Sequence, residues 1–441
     1  MAVLTHTQTK SNSSSSKGGN KTKRPWVKTP LIESAALSEA AGCRIFLKLE
    51  NLQPGGSFKS RAMGSLILHH IANPANANRR LHFYINSGGN AGLAAVCAAR
   101  SLGYPCTVVL PVTSSPLMVR KIRAAGATQV VQYGETIAAA GEYMRGVLMA
   151  ENTGAEDDVV RIALHPFDHE AIWEGNSTIV DELAEQLPPW DNDQDNEHEV
   201  RHKSDGELPV DAIVCSVGGG GLMNGLIQGI ERRRKSVSPR KNIHILAVET
   251  DGTASLALAL QQNTLVTLPK VQSMAVSLAC VRVSQRTFDY CMSPPPGIAI
   301  HSVTLSDAQA ARGCLRLADD ERILVELACG VCIEAVVGDT PKPRGTKRKM
   351  ISSHADEGYA DDQTVDHCKA NGHVSTSASA DSALGSEEEY EIVSRKQLSR
   401  LKEAIPDLTP DSRVVIIVCG GSNVTTGMAA EWKEKLNQGW E

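Results

Sequence analysis

Lys59 stands where a chain can hold an amine in its neutral form. It follows Gln53-Pro-Gly-Gly-Ser-Phe58 and precedes a helix-forming stretch, 62–70. That places it at a loop-to-helix junction. A helix N-terminus and partial burial beside Phe58 both disfavour an ammonium group and lower the lysine pKa. A deprotonated amine is what Schiff-base chemistry needs. Taken alone, the segment reads first as a surface lysine capping a turn. Three further motifs bear on that choice. Ser87-Gly88-Gly89-Asn90-Ala91-Gly92 leaves an apolar strand and opens a helix. Its glycines let backbone approach a ligand, its free N–H groups suit an anion, and Asn90 offers both a donor and an acceptor. Gly218-Gly219-Gly220-Gly221 makes the same strand-to-helix passage. Successive glycines can aim several N–H groups at one point, with a helix dipole behind them, which is a phosphate cradle by mechanism. It is neither a GxGxxG fingerprint nor a Walker loop, so no dinucleotide or triphosphate is specified. Finally, Cys419-Gly-Gly-Ser-Asn423 follows a buried strand, and a neutral thiol there can meet a heteroaromatic nitrogen without fixing a proton on it. Each of the three also has a plain reading, as an ordinary βα turn, a flexible loop or a buried structural cysteine.

The elements that must position these residues alternate. Strand patterns at 44–50, 81–86, 107–110, 129–133, 212–217, 244–249 and 414–419 are separated by helical stretches at 91–101, 117–125 and 222–232. Alternation of this kind implies right-handed crossovers and a mostly parallel sheet. Ligands of such sheets sit beyond the carboxyl ends of the strands, where the glycine clusters fall. The expected class is α/β, with mostly parallel sheets.

Composition narrows the partners. Forty-five Lys and Arg against 50 Asp and Glu leave a net charge of −5, unlike a dedicated nucleic-acid binder. No run of about 18 apolar residues occurs, so no membrane span is expected. Eleven scattered cysteines, many in apolar runs, suit a reducing compartment, hence the cytoplasm. Cys329-Gly-Val-Cys332 has no second pair at metal spacing. Residues 1–26 read as a disordered tail; their Ser, Thr and Lys content without acids also fits a mitochondrial transit peptide. The polar stretches at about 188–207 and 340–390 read as surface-loop inserts. His198-Glu-Val-Arg-His202 matches HExxH, but in a polar insert without an apolar face it reads as a chance match. The basic runs 232–235 and 347–349 read as solvated surface rather than import signals.

Together, an imine-forming lysine, a phosphate cradle, an asparagine loop and a ring-nitrogen partner describe one ligand. It carries an aldehyde, a phosphate and a pyridine ring, and that ligand is pyridoxal 5′-phosphate. The order of motifs then resembles the L-serine dehydratase branch of the fold-type II pyridoxal-phosphate enzymes, the tryptophan synthase β-like group. The resemblance runs through Val27-Lys-Thr-Pro-Leu31, Leu47-Lys-Leu-Glu50, Gln53 to Arg61, Ser87 to Gly92, His165-Pro-Phe-Asp168, Trp173-Glu-Gly175, Ser216 to Leu222, Glu249-Thr250, Glu326 to Gly330 and Cys419 to Asn423. It covers about 27–187, 209–338 and 410–425, and the long inserts depart from the compact form of the family.

The resemblance implies two three-layer domains with the cofactor in the cleft between them. The large domain comprises 27–61 and 161–441, and the small one 62–160. It implies that Lys59 carries the cofactor, Phe58 packs near its ring, Asn90 bonds the ring hydroxyl, Gly218 to Gly221 hold the phosphate and Cys419 faces the ring nitrogen. Ser87, Gly88, Gly89 and Asn90 would bind the substrate carboxylate. Glu249 with the carbonyls of Leu278 and Cys280 matches the region of a monovalent cation, usually potassium, although Val248 to Thr253 departs from the family's loop. The implied activity is dehydration and deamination of L-serine to pyruvate and ammonia, and of L-threonine to 2-oxobutanoate, by a homodimer. A threonine dehydratase or a serine racemase-like enzyme of the same group is the neighbouring reading. A non-catalytic binder of a phosphorylated metabolite is the distant one.

Overall fold

A computed structural model describes residues 23–150, 158–190, 208–234, 241–338 and 399–441. The Ser13–Ser16 tail, the HExxH match, the 347–349 run, all of the 340–390 insert and most of the 188–207 insert lie outside them.

Among the described residues, ten strands form two sheets. They are β1 (Leu31–Glu33), β2 (Arg44–Lys48), β3 (Arg80–Ile85), β4 (Cys106–Leu110), β5 (Gln129–Gln132), β6 (Val159–Ala163), β7 (Ala212–Ser216), β8 (Ile243–Thr250), β9 (Ile298–Leu305) and β10 (Arg413–Ile417). The larger sheet has the order β1-β2-β10-β7-β8-β9, and the smaller β5-β4-β3-β6. Every pairing is parallel except β1 with β2. This mixed, mostly parallel arrangement with helical crossovers is the α/β class read from the sequence. β7 and β10 are buried along their whole length, as continuous apolar runs covered on both faces must be.

Both sheets belong to one unit of the chain, and each has its own apolar cluster. The smaller sheet extends three residues past the expected limit at 160, because β6 stays in register with β3 as far as Ala163 opposite Tyr84. The helix Leu327–Val337 is buried at every residue, which makes it a central rod under the larger sheet. Cys329 and Cys332 lie in it as free, fully buried thiols, so this CxxC is core.

Most important for the site, β10 enters between β2 and β7, pairing Ile417 with Lys48 and Ile416 with Val214. The loop after β10 therefore emerges beside the loop after β2. Val418 donates to the Lys48 carbonyl at 2.9 Å, and Asn51 to the Val418 carbonyl at 3.0 Å. Two segments some 360 residues apart in the chain become neighbours.

Candidate active site

Lys59 is the first residue of the helix Lys59–Ala72. Its loop is zipped onto the loop after β10. Phe58 N–H donates to the Cys419 carbonyl at 3.2 Å, Gly421 N–H to the Gly56 carbonyl at 2.9 Å, and Ser57 bridges to Gly420. The Lys59 side chain is half-buried. Its Nζ donates to the Pro166 carbonyl at 2.8 Å and lies 5.2 Å from the centre of the Phe58 ring. Burial lowers its pKa to about 8, against smaller opposing contributions from the thiols of Cys280 and Cys419.

Pro166 links this amine to the tetraglycine turn. His165 shapes the link, its Nδ1 accepting the N–H of Asp168 at 2.8 Å. Phe167 then lies across the glycines: a Cβ at Gly219 would meet its ring at 2.3 Å, and one at Gly221 its carbonyl at 2.4 Å. Gly220 has φ of +87°, and a Cβ there would stand 1.8 Å from Thr287 Oγ1. Among the described residues, the N–H groups of Gly218, Gly219 and Gly220 donate to no protein acceptor. The helix Gly221–Arg234 starts directly behind them. Unclaimed amides at a helix N-terminus suit an anion.

Ser87, Gly88, Gly89 and Asn90 are half-buried at the end of β3, where Asn90 opens the helix Asn90–Leu102. The Asn90 amide joins three segments. Its Oδ1 accepts the N–H of Ser422 at 2.9 Å, and its Nδ2 donates to Glu326 Oε1 at 3.0 Å and Ser277 Oγ at 3.1 Å. Cys419 is 6% exposed, with Sγ 3.6 Å from Ser216 Oγ. Burial pushes this thiol up to about 11, so it is uncharged at neutral pH.

The cation candidates are more loosely grouped. Glu249 is buried, and its two oxygens accept the N–H groups of Leu256 at 2.9 Å and Ala257 at 2.8 Å. The Leu278 carbonyl accepts the N–H of Cys280 at 2.6 Å and lies 3.3 Å from where a Gly218 Cβ would be. Burial raises Glu249 to about 7 despite the backbone donors.

Beneath the site, Arg61 in the first turn of the Lys59 helix is fully buried. Its fork grips Glu50 through Nε–Oε2 at 2.8 Å and Nη2–Oε1 at 2.7 Å. It also bonds Glu182 Oε1 at 2.6 Å, and Lys48 Nζ bonds Glu182 Oε2 at 2.6 Å. Two cations and two carboxylates thus tie the helix to β2 and to the helix Glu170–Gln186. Sequence reasoning gave no role to Arg61, Pro166, Phe167, Ser277, Thr287 or Glu326. Arg61, Pro166, Phe167 and Glu326 lay inside the motifs quoted above without a role of their own, and Glu326 also stands immediately before an eleven-residue apolar helix.

The family model for pyridoxal-phosphate dependent enzymes matches residues 23–351. The chain belongs to the pyridoxal-phosphate dependent enzyme family. Over 310 residues it is 41% identical to an L-serine dehydratase of Saccharomyces cerevisiae, covering 70% of this chain and 84% of the yeast protein. It is 35% identical to the L-serine dehydratase/L-threonine deaminase of Mus musculus, covering 70% and 82%. The crystal structure of a fungal L-serine ammonia-lyase from Rhizomucor miehei superposes with a TM-score of 0.67 at 26% identity, covering 94% of this chain and 99% of that one. The fold is therefore that of the fold-type II pyridoxal-phosphate enzymes.

The residues present fit the cofactor. Lys59 offers an amine for its aldehyde, the glycine amides lack acceptors, and Cys419 is a buried neutral thiol. The Ser57 hydroxyl, two residues before Lys59, is buried with no hydrogen-bond partner. The lowered lysine has a measurable consequence. Cofactor-free protein mixed with pyridoxal phosphate should react faster as pH rises, reach half its plateau near pH 8 and level off about one unit above that, as Lys59 loses its proton. An ordinary lysine would keep accelerating to about pH 10. Stopped-flow absorbance between about pH 6 and 11, a range that brackets both values, reads the plateau directly.

Proposed function

We propose that this enzyme eliminates water from L-serine and releases pyruvate and ammonia, with L-threonine giving 2-oxobutanoate. The observation that carries the reading is the Lys59 amine, held on the Pro166 carbonyl at 2.8 Å beside glycine amides that have no protein acceptor. The names of the yeast and mouse relatives supply the substrate.

When bound, the cofactor supplies an electrophilic aldehyde and a conjugated ring that takes up electron density. The chain does the rest. Lys59 provides the amine for that aldehyde and, when free, the base that takes a proton from the substrate Cα; a pKa of about 8 suits that exchange. The N–H groups of Gly218 to Gly221 hold the phosphate, and Phe58 packs near the ring. Ser87 to Asn90, at a helix N-terminus, bind the substrate carboxylate. Asn90 meets the ring hydroxyl. Cys419, a buried neutral thiol, would meet the ring nitrogen without supplying a charge there, which would suit β-elimination. Across the reaction one water leaves the substrate and one returns on hydrolysis, so the net products are pyruvate and ammonia.

Loops from the two sheets meet through Asn90, Ser422 and Glu326, and we assign the cofactor to the space beside them. Among the described residues no helix is long and apolar enough to cross a membrane, and every cysteine is a free thiol. The free thiols support a reducing compartment such as the cytoplasm. The homodimer and a potassium ion beside Glu249 rest on the family resemblance.

Purified protein assayed on L-serine, L-threonine and D-serine, with potassium or choline as the cation, tests the reading. Pyruvate from L-serine is expected, with 2-oxobutanoate from L-threonine at a rate that differs by no more than about 200-fold, since one methyl group is worth only about 1–3 kcal/mol in a pocket. Interconversion of the serine enantiomers without keto-acid release would establish the racemase reading instead.

A further inference from the structure

Asn90 is held more tightly than a ligand to the cofactor ring needs to be. Its orientation is fixed by partners that cannot exchange roles. Ser422 N–H only donates and must face Oδ1, whereas the Glu326 carboxylate accepts and must face Nδ2. One Nδ2 hydrogen is therefore committed to Glu326 at 3.0 Å. The other rests on the hydroxyl of Ser277, an exposed residue, at 3.1 Å.

Glu326 is itself built in. It is 5% exposed, and its Oε1 also accepts the N–H of Asn423 at 2.7 Å while Oε2 accepts the Ser277 hydroxyl. Among the described residues no lysine, arginine or histidine pairs with it. Space for the carboxylate exists because residue 421 is glycine: its φ is +113°, and a Cβ would stand 2.3 Å from Glu326 Cδ. One carboxylate thus gathers the start of the Asn90 helix, the 277 loop and the loop after β10.

We propose that Glu326 is a positioning residue that takes up one N–H of Asn90 and fixes the amide plane, so that the second N–H can pass from Ser277 to the ring hydroxyl of the cofactor. The buried carboxylate holds the donor in its working rotamer before the cofactor arrives, which removes the cost of ordering it on binding. The exposed serine is a placeholder that releases Asn90 and keeps its own bond to Glu326. This rests on the placement of Asn90 against the ring.

The test is a double-mutant cycle on the cofactor-loaded enzyme: wild type, Glu326→Ala, Asn90→Ala and the double variant. The readouts are kcat and KM for L-serine, the cofactor dissociation constant by absorbance titration, and the position and pH dependence of the cofactor band. Glu326→Ala should lower kcat about tenfold or more, the scale of a hydrogen bond to a charged group, with a smaller change in KM. It should also shift the band in the same sense as Asn90→Ala. Because Glu326 acts through Asn90, the double variant should be no worse than Asn90→Ala alone. Losses that multiply, or a Glu326→Ala enzyme with wild-type rate and spectrum, would overturn the assignment. Should Glu326→Ala not fold, Glu326→Gln is the second test: it keeps an oxygen toward Asn90 and Asn423, so it should retain most of kcat and the wild-type band, and a loss as large as that of Asn90→Ala would overturn the assignment. Borohydride reduction of the wild type separates the two levels. If no cofactor is fixed on Lys59, the cofactor placement fails; if it is fixed and the cycle is additive, only the role of Glu326 fails.

Discussion

Lys59→Ala should abolish pyruvate formation and, in the same protein, the absorbance band of the lysine-bound cofactor. Two functions leave with one side chain. The variant has no amine to bond the aldehyde, and it has lost the base for the Cα proton, a contribution of about 10²–10⁴-fold by itself. A loss of at least about 10³-fold is therefore expected. The fold should survive. Among the described residues the amine's one hydrogen bond is to the Pro166 carbonyl, and burial disfavours the ammonium form there. Thermal unfolding compared with wild type separates lost chemistry from lost structure. Turnover above about a hundredth of wild type would mean that another group is the base and would remove Lys59 from the mechanism.

Arg61→Met should cost the most stability of any single change near the site. The guanidinium is fully buried and satisfies Glu50 through two parallel bonds and Glu182 through two more. Without it Glu182 keeps Lys48, while Glu50 is left inside the protein with only the neutral donors of Thr29 and Gln53. Removing one member of such a buried set costs about 3–5 kcal/mol, because uncompensated charge is left behind. Urea denaturation should show a midpoint lowered to match. Arg61→Lys should recover only part of the loss, since an ammonium cannot reproduce the planar fork on Glu50. The network's net charge is zero, so replacing all four ionic residues together by apolar ones is a milder perturbation than removing Arg61. That comparison distinguishes lost pairing from lost packing. Because Arg61 lies two residues from Lys59, a fall in kcat should accompany the loss of stability.

What the sequence made legible follows from the same physics. The central strands β2, β4, β7, β8 and β10 are apolar enough to announce themselves, and a parallel sheet must deliver the segments after them to one side. That is why Lys59, the tetraglycine turn, the Ser87–Asn90 loop and Cys419 group together on strand pattern and glycine placement alone. The strands β1, β6 and β9 were not legible. All three are edges of their sheets, where only one side needs a partner and half-buried polar residues such as His301 and Ser302 are tolerated; β5, the remaining edge, was legible at 129–133 through Val130 and Val131. Side-chain pairings across long separations were equally hidden. Glu326 and Asn90 lie 236 residues apart, and Arg61 and Glu182 lie 121 apart. No local pattern marks either pair. Phe167 was visible in its motif, but its seat across Gly219 depends on the tertiary path of the 165–168 turn.

The position of β10 also has a bearing on biosynthesis. A ribosome that has released everything through the helix Leu327–Val337 exposes β2 and β7 with no strand to bridge them, so the larger sheet has a gap at its centre rather than at its margin. The Lys59 loop meanwhile lacks the carbonyl of Cys419 on which it hangs. The 339–398 stretch postpones the missing strand further, although its length adds little to the entropy of closure, which grows only logarithmically. Nascent chains should thus stay protease-sensitive and unable to capture vitamin B6 until translation has passed residue 423, and a chaperone that shields the open seam would govern yield more than one acting on the N-terminal half.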